Sequence, residues 1–260
     1  MTNIFRKRIW LAMVSLCLST AAFADSIDDT RKAAEQGDAR AQTRLGIMYD
    51  KGWGVSEDDR EAAKWYRLAA EQGIVLAQFH LGAMYRKGEG VPRDYKEAVK
   101  WYRLAAEQGN ALAQVTLGSM YANGMGVPED NREAAKWYRL AAEQGDATAQ
   151  LNLGSMYRDG EGVPRDDGEA VKWYRLAAEQ GLAEAQFNLG IVYDKGEDVP
   201  EDDREAIKWY RLAAEQGIAR AQFNLGAMYY NGEGVPRNSK EAYIWLSLAV
   251  ASGDKSESAT

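Results

Sequence analysis

The chain has 260 residues, of which 46% are hydrophobic and 27% are charged, a composition typical of folded globular proteins. Its 39 acidic residues outnumber its 32 basic residues, which gives a formal net charge of −7 at pH 7. This acidic balance argues against nucleic-acid binding, which needs a basic face for the phosphates, and against adsorption to anionic lipid.

The first 24 residues have the pattern of an export signal. A basic segment, 6–8, precedes the apolar run 9–18, and residues 22–24 (Ala-Phe-Ala) match the small-x-small pattern that a signal peptidase cleaves. Ten apolar residues are too few to span a bilayer core, which takes about 20, so no stable membrane insertion is expected after cleavage. We predict cleavage after Ala24 and a location in the periplasm or outside a bacterial cell.

Two alternatives remain open for this segment, an uncleaved membrane anchor and a lipoprotein signal. The lipoprotein alternative would use Cys17, the only cysteine, but Leu16 before it is bulky where lipoprotein processing requires a small residue. If the signal is cleaved, the remaining chain has no cysteine. Its stability must then come from packing and not from disulfides.

A 36-residue repeat fills most of the remaining chain. Tryptophan recurs at this spacing at Trp65, Trp101, Trp137, Trp173, Trp209 and Trp245. Glycine does the same at Gly37, Gly73, Gly109, Gly145, Gly181, Gly217 and Gly253. Six units therefore occupy residues 38–253, a partial repeat occupies 25–37, and residues 254–260 are predicted to be a flexible tail.

Each unit contains two predicted helices, A and B. In the first unit, helix A places Ala41, Leu45 and Tyr49 on one face, and helix B shows the same three- and four-residue spacing around Trp65. Gly46 lies inside helix A, where glycine is unfavourable by about 1 kcal/mol relative to alanine. Its recurrence in every unit predicts a point where two helices approach too closely for a Cβ.

The residues around helix B predict its two ends. Asp58 stands at the expected N-cap and Glu61 follows three residues later, which is the spacing of a capping box. Gly73 and its equivalents are expected to end helix B in the left-handed conformation. The loop between the helices contains two glycines and usually a proline, and Asp198 replaces the second glycine in the fifth unit.

The pattern AQxxLGxMYxxGxGVPxDxxEAxxWYRxAAEQG resembles the Sel-1-like repeat family, a branch of the tetratricopeptide-type α-solenoid proteins, over residues 38–253. The resemblance implies an all-α fold, a right-handed α/α superhelix (solenoid) of six helix–turn–helix repeats. It also implies a role as an adaptor in protein complexes, often in the bacterial envelope or in contacts with host cells. A cysteine-rich subgroup contains members that bind β-lactams, but residues 25–260 contain no cysteine, so that activity is not expected.

No catalytic or metal-binding arrangement is evident. The single histidine, His80, excludes a multi-histidine metal site, and we expect it to be an exposed polar residue. Ser252 and Lys255 match a short SxxK pattern without its KTG partner, and the acidic clusters 57–59 and 201–203 are explained by capping and solvation. We predict a non-enzymatic protein without cofactor or metal. The alternatives are a cell-wall-directed enzyme, a binder of β-lactams or other small molecules, and a structural spacer.

Positions that vary between units are candidates for binding a partner protein. On helix A, positions 3, 7, 10 and 14 of the unit form one stripe, and helix A usually lines the concave face of a solenoid. The candidate protein-binding residues are Arg40, Arg44, Ile47, Lys51, Trp53, His80, Lys87, Thr116, Asn152, Asn188, Asn224 and Asn231.

Three features of this candidate set leave alternatives open. The asparagines at 152, 188 and 224 are interpreted as a ladder that holds a peptide backbone, or as amides that satisfy local polar atoms or face water. Trp53 either contacts a partner or covers the N-terminal end of the stack. In the sixth unit, the apolar Tyr243, Ile244 and Leu248 indicate a C-terminal cap, or a patch left open for a partner or a second copy.

Overall fold

A computed structural model of the chain describes residues 27–196 and 200–257. The predicted signal segment with its cleavage site, and Asp198, lie outside the described residues. Within the described ranges the chain forms α-helices joined by turns, without a β-strand. The predicted all-α fold of helix–turn–helix repeats is therefore confirmed.

The described residues contain thirteen helices, which alternate between the predicted B and A types. The first, α1 (27–35), is the B helix of the partial repeat. The A helices are α2 (Ala39–Lys51), α4 (Val75–Lys87), α6 (Ala111–Ala122), α8 (Ala147–Asp159), α10 (Ala183–Lys195) and α12 (Ala219–Asn231). The following B helices are α3 (Asp59–Glu71), α5 (Tyr95–Glu107), α7 (Asn131–Glu143), α9 (Asp167–Glu179), α11 (Asp203–Glu215) and α13 (Ser239–Glu257).

The last helix, α13, differs from the other B helices in length. It has 19 residues, whereas α11 has 13. Gly253 was expected to end it, but the helix continues through this glycine to Glu257, so that expectation is wrong. The predicted tail, 254–260, therefore begins as helix.

The described chain forms two compact units. The first contains residues 27–113 and 124–128, and the second contains 114–123 and 129–257. In the first unit α2 packs on α3, α3 on α4, and α4 on α5. In the second unit the consecutive helices from α7 to α13 pack in the same way. Each A helix in these series thus lies against the B helix after it, and α4, α8, α10 and α12 also lie against the B helix before them.

In five of the six repeats, helices A and B meet where a glycine faces an aromatic ring. A Cβ added to Gly46 would lie 2.7 Å from Cδ1 of Tyr66, a fully buried side chain. The corresponding pairs are Gly82–Tyr102, Gly118–Tyr138, Gly154–Tyr174 and Gly190–Tyr210. In the sixth repeat Leu246 takes the place of the tyrosine beside Gly226. The predicted close approach is confirmed, and its partner is the tyrosine of the WY pair.

The N-caps of the B helices are confirmed, but the capping box is only half formed. The Asp58 carboxylate accepts hydrogen bonds from the backbone N–H groups of Arg60 and Glu61, at 2.9 and 3.1 Å. The N–H of Asp58 itself donates to the carbonyl of Tyr49 in helix A, at 3.0 Å, so it is not available to Glu61. Glu61 instead pairs with Lys64 at 3.1 Å. The backbone bond to the tyrosine carbonyl recurs at Asp94, Asp130, Asp166, Asp202 and Asn238.

The glutamines of the AQ and EQG motifs form a second repeated contact. Gln72 donates to the side-chain oxygen of Gln42 at 2.7 Å, and Gln42 donates to the carbonyl of Ala34 at 3.1 Å. The corresponding pairs are Gln108–Gln78, Gln144–Gln114, Gln180–Gln150 and Gln216–Gln186, at 2.7–2.8 Å. In the sixth repeat serine replaces the donor glutamine, and the buried side-chain oxygen of Gln222 has no hydrogen-bond partner among the described residues. The sequence pattern alone did not indicate this contact.

Candidate protein-binding site

The twelve candidate residues fall into two groups by exposure. Six are exposed: Arg40, Arg44, Lys51, Trp53, Lys87 and Asn231. Six are half-buried: Ile47, His80, Thr116, Asn152, Asn188 and Asn224. The outer positions of the helix-A stripe therefore face solvent, while its middle positions pack in part against neighbouring side chains.

Four of the candidates meet in one groove between α2 and α4. This groove has a volume of about 390 Å³, and we call it the Trp53 groove. It is lined by Arg40, Thr43, Arg44, Ile47, Met48, Trp53, Ile74 and Leu76. Trp53 follows the C-cap glycine of α2, Gly52, whose left-handed backbone (φ 66°) turns the chain out of the helix. The sequence pattern predicts the α2 side of this groove, but it does not predict Ile74.

The Trp53 groove combines an apolar lining with positive charge. The indole of Trp53 is 60% exposed, and Ile47, Ile74 and Leu76 supply further apolar surface. Arg40 and Arg44 are exposed and have no ion-pair partner among the described residues. Tryptophan and arginine are the side chains most enriched at energetically important interface positions.

The three asparagines of the predicted ladder have different surroundings. The amide of Asn224 lies near the hydroxyl of Tyr210, which donates a hydrogen bond to Asp194 at 3.0 Å. Burial, reinforced by the charge of Asp194, raises the pKa of Tyr210 well above its usual range. Asn188 lines a separate polar cavity of about 250 Å³ whose wall includes Asp167.

His80 is not the exposed polar residue that we expected. Its ring stacks on that of Tyr66, with 4.9 Å between the centroids and 5° between the planes. Burial lowers the pKa of His80, and the charge of Asp50 opposes this effect only in part. The expectation was wrong because a tyrosine of the preceding B helix lies under this position of helix A. The ring therefore acts as a packing residue.

Among the described residues, neither a metal-binding group nor a membrane-spanning helix is found. None of their histidine, aspartate and glutamate side chains form a group of three or more that could hold a metal ion. None of the described helices is both long and apolar enough to cross a membrane. The arrangement that stands out chemically is the apolar groove with its arginine rim.

The fold and this groove define a helical-repeat protein with a surface suited to protein contacts. The Sel1 repeat profile matches six consecutive segments, at residues 39–74, 75–110, 111–146, 147–182, 183–218 and 219–254. The chain therefore belongs to the Sel1 repeat family, which confirms the resemblance seen in the sequence. Proteins of this family generally act as scaffolds for protein–protein interaction.

Two solved structures show how far the likeness extends. A protective antigen present in uropathogenic Escherichia coli strains is 41% identical, with a TM-score of 0.84 over 87% of this chain and 49% of that one. The present chain thus spans about half the length of this antigen. A Sel1 repeat protein from Oxalobacter formigenes is 37% identical, with a TM-score of 0.71 over 89% of this chain and 95% of that one. The comparison with curated proteins finds no match.

Proposed function

We propose that the protein is an exported, non-catalytic scaffold that binds a partner protein through the Trp53 groove on its helix-A surface. The observation that carries the proposal is the exposed indole of Trp53 beside an apolar groove whose two arginines have no ion-pair partner among the described residues. Membership of the Sel1 repeat family supports the scaffold role. The basic, apolar and small-residue segments of residues 1–24 support export.

The exposed indole supplies enough apolar surface to anchor a partner. A buried aromatic side chain removes about 150–250 Å² from water, so covering the exposed 60% of Trp53 removes on the order of 100–150 Å². At about 25 cal/mol per Å², this burial contributes about 2.5–4 kcal/mol to binding. A contribution of this size is that of an interface hot spot.

The rim of the groove indicates the chemistry of the segment that binds. Arg40 and Arg44 lie four residues apart on α2, and four residues bring two side chains onto one helix face. Guanidinium groups pair with carboxylates in a bidentate manner. The matching segment therefore presents an apolar side chain to the groove and one or more carboxylates to the arginines.

Affinity capture from the envelope fraction of the native host tests this function. Immobilised residues 25–260 are expected to retain a partner, and the variant Trp53→Ala is expected to lose it. The matched control is Leu140→Ala, which removes another exposed apolar side chain, on the B helix α7. If Trp53→Ala retains the same partner as well as the unaltered chain, the groove is not the binding site.

A further inference from the structure

A small polar cavity lies between α8, α9 and α10, within the second compact unit. It has a volume of about 250 Å³, and we call it the charged cavity. Four of its lining residues carry charge: Arg158, Asp159, Asp167 and Lys195. The others are one amide, that of Asn188, and three apolar residues: Ala170, Ile191 and Val192. The volume is below that of pockets for drug-sized ligands, so a matching occupant has about the size of one amino acid.

Asp167 supplies a buried carboxylate to the charged cavity. Only 9% of this residue is exposed, whereas the corresponding Asp59 and Asp203 are half-buried. Its carboxylate accepts a hydrogen bond from the guanidinium of Arg165 at 2.6 Å. A carboxylate has about four acceptor sites, which is more than one guanidinium fills. Because a buried carboxylate is unfavourable unless cations and donors surround it, a ligand cation in this cavity is bound favourably.

A second carboxylate, that of Asp159, lies at the exposed rim of the cavity. Its two oxygens accept hydrogen bonds from Nε and Nη2 of Arg158, at 2.8 and 2.9 Å. These bonds lower the pKa of Asp159, so its carboxylate is charged at neutral pH. The charge of Asp167 is close enough to oppose this effect in part. The cavity therefore holds two neighbouring carboxylates, and their mutual repulsion is relieved by a cation placed between them.

Two cationic side chains, those of Arg158 and Lys195, line the same cavity. The guanidinium of Arg158 lies over the ring of Tyr174, with 6.0 Å between its carbon and the ring centroid. Lys195 is the last residue of α10 and is exposed. Two cations and two carboxylates give the lining a formal charge of 2 − 2 = 0. The repeat pattern does not impose this balance, because the corresponding residues of the second repeat include no carboxylate: Arg86, Lys87 and Tyr95.

We propose that the charged cavity binds a zwitterion, namely a free α-amino acid with a small apolar side chain. The ammonium group of the ligand pairs with Asp167 and Asp159, and its carboxylate pairs with Lys195 and Arg158. The amide of Asn188 both donates and accepts, so it can bond to either end of the ligand. The apolar residues of the lining contact the ligand side chain. A single ion fits less well, because a lone cation or anion would also meet two charges of its own sign.

Isothermal titration calorimetry of residues 25–260 with L-valine tests the proposal. We expect binding with a dissociation constant below about 1 mM. N-acetyl-L-valine lacks the ammonium charge and L-valinamide lacks the carboxylate, so each should bind about tenfold more weakly or worse. Asp167→Asn removes the buried negative charge and Lys195→Gln removes a positive charge of the rim. Each substitution should weaken the binding of L-valine by about tenfold or more.

A matched control and an exposed position make the outcome decisive. Asp203→Asn makes the same change at the corresponding position of α11, outside the cavity, and should leave the affinity for L-valine unchanged. Lys195 is exposed, so Lys195→Gln tests the cavity even if Asp167→Asn lowers the helical circular dichroism signal. No binding at about 10 mM L-valine, equal binding of the three compounds, or an affinity that neither cavity substitution changes overturns the proposal. The Trp53 groove lies in the first compact unit, so none of these outcomes bears on partner binding.

Discussion

Replacing Gly154 by alanine tests the contact between helices A and B most sharply. The added Cβ would lie 2.8 Å from Cδ1 and 2.9 Å from Cε1 of Tyr174, and 3.3 Å from the carbonyl oxygen of Ala170. The Tyr174 ring is fully buried, and its hydroxyl is hydrogen-bonded to Ser155 at 3.0 Å. The hydrogen bond to Ser155 and the attachment of the ring to α9 thus hold the ring at both ends. Overpacking of this kind costs about 1–3 kcal/mol.

Gly168→Ala provides a matched control in the next helix. A Cβ there would meet only the carboxylate of Asp166, at 3.3 Å. Both substitutions gain from the better helix propensity of alanine, which is worth up to about 1 kcal/mol. The difference between the two variants in free energy of unfolding therefore isolates the overpacking, and we expect Gly154→Ala to be less stable by about 1–3 kcal/mol.

Urea denaturation followed by circular dichroism measures this difference. We expect the midpoint to fall for Gly154→Ala and to rise slightly for Gly168→Ala, with both chains helical before unfolding. If Gly154→Ala were as stable as Gly168→Ala, the tyrosine ring would not fill the space above the glycine. The explanation of the recurring glycines would then be wrong.

Three other predictions concern polar residues. Gln150→Leu removes the acceptor of Gln180 and the donor to Ala142, so it should lower the free energy of unfolding by about 1–3 kcal/mol in the same urea assay. His80, the only histidine, should titrate by NMR with a pKa below its ordinary value of 6.5, and the stability that depends on its neutral form should fall as the pH drops below that value. An ordinary or raised pKa would contradict its burial on Tyr66. If the three ladder asparagines hold the backbone of a bound segment, replacing them together by alanine should weaken partner binding by about tenfold or more, and unchanged affinity would reject the ladder. The control is the alanine replacement of three exposed helix-B lysines, which should change the affinity only a few-fold: Lys100, Lys136 and Lys172.

The repeat fold could be predicted because its main determinants are residue types at fixed spacing. A glycine inside a helix, as at Gly46, has few explanations other than close packing, and the acidic N-cap Asp58 has few other roles before an apolar run. The prediction of a complete capping box at Asp58 was wrong. The N–H of Asp58 bonds to a backbone carbonyl of helix A, at Tyr49, and every residue type has such a carbonyl.

The candidate site was predictable only in part. Variation between repeats identified Arg40, Arg44 and Trp53, because positions that are free of packing can diverge. Variation between repeats did not identify Ile74. Whether this residue lines the groove depends on the distance between α2 and α4, and the sequence does not give that distance. The same comparison also misjudged His80, whose burial comes from a ring in the preceding repeat.

The C-terminal repeat shows which features comparison within one chain can reveal. The apolar substitutions of α13 were visible in the sequence, but their exposure was not, because a cap and an open patch have the same composition. Phe223 gave no signal, since the equivalent Phe187 is an ordinary buried residue. Only the structure of α12 and α13 at the end of the second unit distinguishes a cap from an open patch.

Photo-cross-linking in the native host tests the central claim, that the Trp53 groove binds a partner protein. Benzoylphenylalanine replaces Trp53 in one strain and Leu140, the exposed leucine of α7, in another. After irradiation, the account predicts a discrete adduct of higher mass for position 53 and none for position 140. An adduct at position 140 without one at position 53 would place recognition on helix B and contradict the account.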